Sequence, residues 1–233
     1  MRIAMWSGPR NISTAMMYAF GNRPDFAAWD EPFYAAYLAA TDVEHPMRDA
    51  ILAAHETDPA EVAARCRGPI PDAKEHIYLK LMPFHMVDGF PLDWADDCVN
   101  VHLIRHPARV VASYAAKREN PSLRDIGYSE HVALYQRLPG PILDSEDIRN
   151  DPERMLRKLC GIIGLEFDQR MLNWPEGPKP FDGAWAPHWY GAVHRSTGFA
   201  GPEGPLPDLS GELGELVEKA LPHYEALAEQ RLG

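Results

Sequence analysis

The strongest constraint on this chain lies at its start. The apolar run Arg2-Ile-Ala-Met-Trp6 passes almost without a gap into Ser7-Gly-Pro-Arg-Asn-Ile-Ser-Thr-Ala-Met-Met-Tyr-Ala-Phe20. The pattern predicts a short buried strand, a tight turn, and a helix over residues 13–20 whose first turn Ser13 and Thr14 can cap. Such a junction points free backbone N–H groups and the positive end of a helix dipole at one place, which favours a phosphate or sulfate group. Arg10 adds a planar guanidinium from within the turn, and Ser13 and Thr14 add hydroxyl donors.

The strand-to-helix alternation continues down the chain. Residues 26–30 read as a second strand, and Glu31-Pro32 opens a helical stretch with proline at a first position, which puts Glu31 at the junction. A helical Asp58–Cys66 segment precedes strands at His76–Met82 and Cys98–Ile104, both ending beside basic residues. Helices are expected at Pro107–Arg118, Tyr128–Leu138 and from Asp151 to Gly164, with a short strand at Ile142-Leu143. This order implies an α/β fold, a mostly parallel β-sheet flanked by helices. Residues 174–211 are rich in Pro, Gly, Trp and His, and read as an ordered excursion because their aromatic side chains favour burial. A closing helix is expected over about residues 211–231.

With 233 residues, 45% of them hydrophobic, the chain is expected to form one domain spanning 1–233. Its net charge of −11 argues against nucleic-acid partners and against a polybasic membrane-surface role. Local positive features must then hold any anionic ligand. Cys66, Cys98 and Cys160 form neither a disulfide framework nor a CxxC motif, and no run is long enough to span a membrane, so a cytoplasmic setting is expected. His102, His106, His188 and His194 lack zinc-site spacing, and no metal is expected.

The nucleotide-kinase loop GxxxxGK[ST], counted from Gly8, would place Ser13, Thr14 and Ala15 where Gly, Lys and the Mg²⁺-binding hydroxyl should stand, which disfavours ATP chemistry. Pro9-Arg10-Asn11-Ile12-Ser13-Thr14 instead resembles the Pro-Arg-Ser-Gly-Thr-like loop of the sulfotransferase family. It departs from that loop at Ile12, where glycine is common. A β-branched residue tolerates positive φ poorly, so Asn11 is expected to take the left-handed conformation instead. Leu103-Ile-Arg-His-Pro-Ala-Arg-Val-Val-Ala-Ser-Tyr114 is similar to the family's second signature, although His106 replaces the more usual acidic or Asn residue. Ile142–Phe167 is similar to a scaffold segment, and Asp30-Glu-Pro-Phe-Tyr-Ala-Ala-Tyr37 to the "EP" stretch of bacterial members. The resemblance covers most of residues 2–167 and is looser beyond.

The resemblance implies a P-loop NTPase-like fold and 3′-phosphoadenosine 5′-phosphosulfate (PAPS) as co-substrate. It implies Arg10, Asn11, Ser13 and Thr14 around the 5′-phosphosulfate, Arg105 and Ser113 on the 3′-phosphate, and Arg195 reaching a phosphate from a late loop. It also implies Glu31 as the base that takes the acceptor's proton. His85 is a second choice of base, because Lys80-Leu-Met-Pro-Phe-His85 resembles a Lys-Thr-His arrangement in which Met82 here holds the histidine position. Lys80, at a strand end, can neutralise charge on the leaving phosphate. The acceptor is expected to be a small, partly apolar molecule, from Phe33, Tyr34, Tyr37, Phe84 and Met86. A P-loop nucleotide-dependent phosphotransferase and a non-catalytic nucleotide-binding descendant of the fold remain open alternatives.

Overall fold

A computed structural model describes residues 1–116 and 121–233. The first strand, β1 (Arg2–Ser7), is buried along nearly its whole length and reads as a continuous apolar run, as a strand covered on both faces must. It leads into α1 (Ser13–Gly21), then β2 (Phe26–Asp30), α2 (Tyr34–Ala40), α3 (Arg48–Ala54) and α4 (Pro59–Arg67). The chain continues through β3 (His76–Leu81), β4 (Val99–Ile104), α5 (Pro107–Ala115), α6 (Leu123–Ile126), α7 (Tyr128–Arg137), β5 (Ile142–Asp144), α8 (Ser145–Asn150) and α9 (Pro152–Ile163). Two short helices, α10 (Ala186–Trp189) and α11 (Gly191–His194), precede the closing helix α12 (Gly211–Ala228).

The sheet has the order β2-β3-β1-β4-β5 and every pairing is parallel. The chain builds β2 and β3 on one side of β1 and then crosses to the other side for β4 and β5. In an open parallel sheet such a reversal leaves a crevice at the carboxyl ends of the central strands. The register sets what faces it: Met5 and Asp30 both pair with Lys80, and Ser7 pairs with Leu103. The expected α/β fold with a parallel sheet and flanking helices is the observed one.

The differences from the sequence reading lie at helix ends. Neither Ser13 nor Thr14 caps α1; its N-cap is Ile12, in the left-handed conformation at φ 58° with no side-chain cap. Arg10 is also left-handed, at φ 61°, while Asn11 is not. The expectation that Asn11 would absorb the positive φ is thus reversed. Left-handed backbone at a non-glycine residue costs about 1–2 kcal/mol, and here the surroundings impose it twice. Helix α2 begins at Tyr34 rather than Pro32, because Glu31 itself has φ 39° and turns the chain before the helix starts. Of the helix expected at Pro107–Arg118, Lys117 and Arg118 lie outside the described residues.

The excursion packs as its aromatic content requires. Trp174, Trp185 and Tyr190 are buried in the same cluster as Met16, Tyr18 and Tyr34. Gly183 permits this, since a Cβ there would stand 2.2 Å from the Trp185 ring.

Candidate active site

The carboxyl ends of β1, β3 and β4 open onto a cavity of about 420 Å³ whose lining includes Arg10, Glu31, Lys80, His85, Arg105 and Trp189. Its two ends differ in chemistry, and different strands build them.

One end gathers around the turn after β1. Gly8 is required there by close approach, since a Cβ would stand 2.9 Å from the Ile126 carbonyl oxygen. Pro9 to Ala15 line the cavity, and the first amides of α1 have no intrahelical acceptors. Arg10 donates from Nε to the Ser113 hydroxyl at 2.9 Å, and Arg105 donates from Nη1 to the Arg10 carbonyl at 2.5 Å. Arg105 follows β4 and Ser113 lies on α5, so residues about 100 positions apart in sequence meet at one wall. Burial and the neighbouring Arg105 charge lower the Arg10 pKa, which marks a cation already crowded by another.

Asn11 plays a different part from the one its sequence position suggests. Its side chain is buried and donates to the Leu103 carbonyl at 3.1 Å, so it struts the turn against β4. Its Oδ1 is buried without a hydrogen-bond partner. Ser13 and Thr14 line the cavity, Ser13 nearly buried. Arg195 is exposed and is not part of the cavity lining.

The other end is a buried ionic cluster. Lys80, at the end of β3, donates to Asp30 at 3.0 Å, to Glu31, and to the Tyr190 hydroxyl at 2.9 Å. These bonds take all three ammonium protons. Tyr190 in turn donates to the Asp30 carboxylate, whose oxygens lie 2.9 and 2.7 Å away, and accepts from Trp185 Nε1 at 3.0 Å. Asp30 also accepts from the Gly183 amide at 3.1 Å. The excursion is thereby bolted to the ends of β2 and β3. Burial alone would push Lys80 down, but the Asp30 and Glu31 charges outweigh it and hold the ammonium above its usual range. For Glu31 burial dominates: it raises the carboxyl to about 7, with Lys80 pulling down and Asp30 adding to the rise.

His85 stands beside Glu31, with Nε2 4.0 Å from the Glu31 Oε2. Its ring lies between Tyr34, at 4.7 Å between centroids and nearly parallel, and Tyr37 at 4.9 Å. Burial, aided by the nearby His45 and Lys80, pushes His85 well below its ordinary pKa, so the imidazole is neutral. Met82, Phe84, Trp185 and Trp189 complete a mostly apolar wall around these two groups. Glu31 and His85 therefore front the same space, while Lys80 reaches it from behind Glu31.

Sequence reasoning did not find Asp30, Tyr190 or Arg149 as site residues. Asp30 is adjacent to Glu31, and a carboxylate ending a buried strand beside another carboxylate is a signal that the pair needs a cation. Tyr190 and Arg149 carry no local mark; their roles arise from pairings 110 and 54 residues away, with Lys80 and Glu203.

Comparison with known proteins agrees with this architecture. A family profile described as "Sulfotransferase domain" matches residues 1–231, which extends the likeness through the C-terminal third. Two Arabidopsis thaliana proteins, named branched-chain-amino-acid aminotransferase-like proteins 1 and 2, are 35% identical over 97% of this chain. The chain spans 41% of their length, so those names describe proteins more than twice as long. Among solved structures, a sulfotransferase from Alicyclobacillus acidocaldarius superimposes with a TM-score of 0.61 at 12% identity, covering 99% of this chain and 96% of its own. The sulfotransferase domain of the Synechococcus PCC 7002 olefin synthase does so with a TM-score of 0.52 at 20% identity, covering 94% of each chain.

Proposed function

The chain belongs to the sulfotransferase domain family, and on that premise we propose that it moves a sulfuryl group from PAPS to a hydroxyl or amine of a small, partly apolar acceptor. The observation that carries this reading is the meeting, in one cavity, of a cationic end built by Arg10, Ser113 and Arg105 and a carboxylate end built by Glu31.

In this reading the 5′-phosphosulfate lies over the start of α1, held by the amides of residues 11–15, Arg10, Ser13 and Thr14, while Arg105 and Ser113 hold the 3′-phosphate. The acceptor enters between His85, Tyr34 and Trp189. Its oxygen or nitrogen forms a bond to sulfur as the bond from sulfur to the bridging phosphate oxygen breaks. Its proton passes to Glu31, whose raised pKa suits a base working near neutrality. Neutral His85 orients the acceptor or relays that proton.

Lys80 then acts later than its position first suggests. While Glu31 is ionised, Lys80 is committed to it. Once Glu31 takes the proton, the ammonium loses one counter-ion, and its charge becomes available to the phosphate oxygen that is gaining negative charge. Proton removal and leaving-group stabilisation are coupled through one ion pair.

Calorimetric titration with adenosine 3′,5′-bisphosphate and with Mg·ATP, together with transfer of labelled sulfuryl from PAPS to a panel of phenols, alcohols and amines, tests the reading. The expected result is bisphosphate binding that Arg105→Ala weakens by about 2–3 kcal/mol, and turnover on at least one acceptor. Preference for Mg·ATP would favour a phosphotransferase, and tight bisphosphate binding with no turnover a non-catalytic descendant.

A further inference from the structure

Two arginines that line the cationic end of the cavity, Arg105 and Arg149, share a carboxylate from the chain itself. Glu203, in the excursion, accepts from Arg105 through both Nη2 and Nε, the latter at 3.3 Å, and from Arg149 Nη1 at 2.6 Å. The Nε of Arg109 lies 3.3 Å from its other oxygen. The carboxylate is only 9% exposed. Burial would raise its pKa, but the Arg105 hydrogen bonds and the three guanidinium charges more than offset this and hold it below the ordinary glutamate value. Glu203 is therefore a full anion at neutral pH, placed on the arginine that the proposed reading assigns to the 3′-phosphate.

The charges do not match one carboxylate. Arg105, Arg109 and Arg149 face Glu203, and Arg10 is close enough to Arg105 to feel its charge. Glu146 also faces Arg109, but from 3.9 Å and with its side chain 49% exposed. A cluster of this size is left under-neutralised by a single buried carboxylate, whereas a phosphomonoester carries about −1.5 to −2 at neutral pH. Phosphate and Glu203 compete for the same edge of Arg105: its Nε and Nη2 point at the carboxylate and its Nη1 at the Arg10 carbonyl, so a phosphate gripped bidentately through Nε and Nη2 must displace Glu203.

The segment carrying Glu203 is also lightly attached. Among the described residues, positions 200–209 form no backbone-to-backbone hydrogen bonds. Their carbonyls are held instead by the same arginines, Gly201 by Arg149 at 2.8 Å and Gly204 by Arg109 at 2.6 Å. Displacing the carboxylate breaks its bonds to Arg105 and Arg149, and no strand or helix ladder holds the residues on either side of it.

We propose that Glu203 is a specificity-determining residue, a tethered carboxylate that holds the subsite for the nucleotide's 3′-phosphate and must be displaced by it. The inference rests on the PAPS reading above. Its consequence is quantitative: an occupant of the site in the free protein reduces apparent affinity by the fraction of molecules in which the site is open. That penalty applies to nucleotides with a 3′-phosphate and not to those without one.

Titration of wild type and Glu203→Gln with adenosine 3′,5′-bisphosphate and with adenosine 5′-monophosphate tests it. Replacing the charged competitor is expected to tighten bisphosphate binding by about tenfold, the equivalent of one charge-assisted hydrogen bond, and to change monophosphate binding by less than about twofold. In wild-type protein, hydrogen exchange over residues 200–208 is expected to quicken with bisphosphate and not with monophosphate. Bisphosphate affinity that is unchanged or weakened in Glu203→Gln, or exchange that slows in that segment, sinks this inference while leaving the PAPS reading intact. If neither nucleotide binds either protein, the PAPS reading itself falls and the inference falls with it.

Discussion

The two ends of the cavity solve opposite electrostatic problems. At the β2 and β3 side, Asp30, Glu31, Lys80 and His85 are each at most 8% exposed, and every charge has a partner fixed to a strand end or to Tyr190. At the β1 and β4 side, Arg10, Arg105 and Arg149 are only partly buried, Arg105 and Arg149 share one carboxylate with Arg109, and a segment without regular structure supplies that carboxylate. The first end is buried and sets two carboxylates against one ammonium, suited to raising a carboxyl pKa; the second holds spare positive charge, suited to receiving an anion. The contrast teaches that removing charge should damage folding at one end and ligand affinity at the other.

The sharpest division comes from Glu31→Gln. Loss of a positioned base is expected to lower kcat by about 10²–10⁴-fold, with bisphosphate affinity changed less than about threefold, since only proton transfer uses the carboxylate. Equal losses in both would make Glu31 a binding residue and erase the distinction between the ends. Next in size is Lys80→Met, which strands Asp30 and Glu31 as buried, unpaired carboxylates; breaking such a pair costs about 3–5 kcal/mol, read as a fall in denaturant midpoint at neutral pH. Arg105→Ala is expected to cost about 2–3 kcal/mol of bisphosphate affinity, the value of charge-assisted bonds to phosphate, with less loss of stability than Lys80→Met. A larger loss of stability in Arg105→Ala than in Lys80→Met would invert the comparison.

The pH profile refines it further. Because Glu31 is raised to about 7 and must be ionised to accept a proton, kcat should rise with pH across that value and fall away below it. His85, held neutral far below its usual range, does not titrate in that window, so the limb reports Glu31. For stability the sign is opposite: a carboxyl whose folded pKa is raised favours folding fully below its unfolded value and loses that contribution as pH rises through about 7. The smallest effect is expected from Arg195→Ala, exposed and outside the cavity, with bisphosphate affinity unchanged within about twofold.

Much of the frame was legible because it is local. The apolar runs at Arg2–Trp6, Phe26–Asp30 and Val99–Ile104 declare parallel strands, and the residues just after them fall at the cavity. Arg10, Glu31 and Arg105 are of this kind: each follows a strand whose register fixes where it points. Lys80 was legible in place and not in partners, since Asp30 is brought beside it only by strand pairing and Tyr190 only by the docking of the excursion. Ile12 shows the limit of local propensity. A β-branched residue disfavours positive φ, yet it adopts it because Asn11 is fixed to the Leu103 carbonyl and α1 must start at Ser13. Glu203 gave no signal at all, being one acidic residue in a Gly- and Pro-rich stretch until Arg105, Arg109 and Arg149 converge on it from β4, α5 and α8.

The two ends are to serve one transfer, the cationic end holding the nucleotide and Glu31 facing the acceptor, and the structure of the adenosine 3′,5′-bisphosphate complex measures this directly. The 5′-phosphate is predicted on the amides of residues 11–15 beside Arg10, with the 3′-phosphate between Arg105 and Ser113 and open space leading from the 5′-phosphate to Glu31. A nucleotide seated elsewhere, or one whose 3′-phosphate faces solvent while Arg105 stays on Glu203, would contradict it.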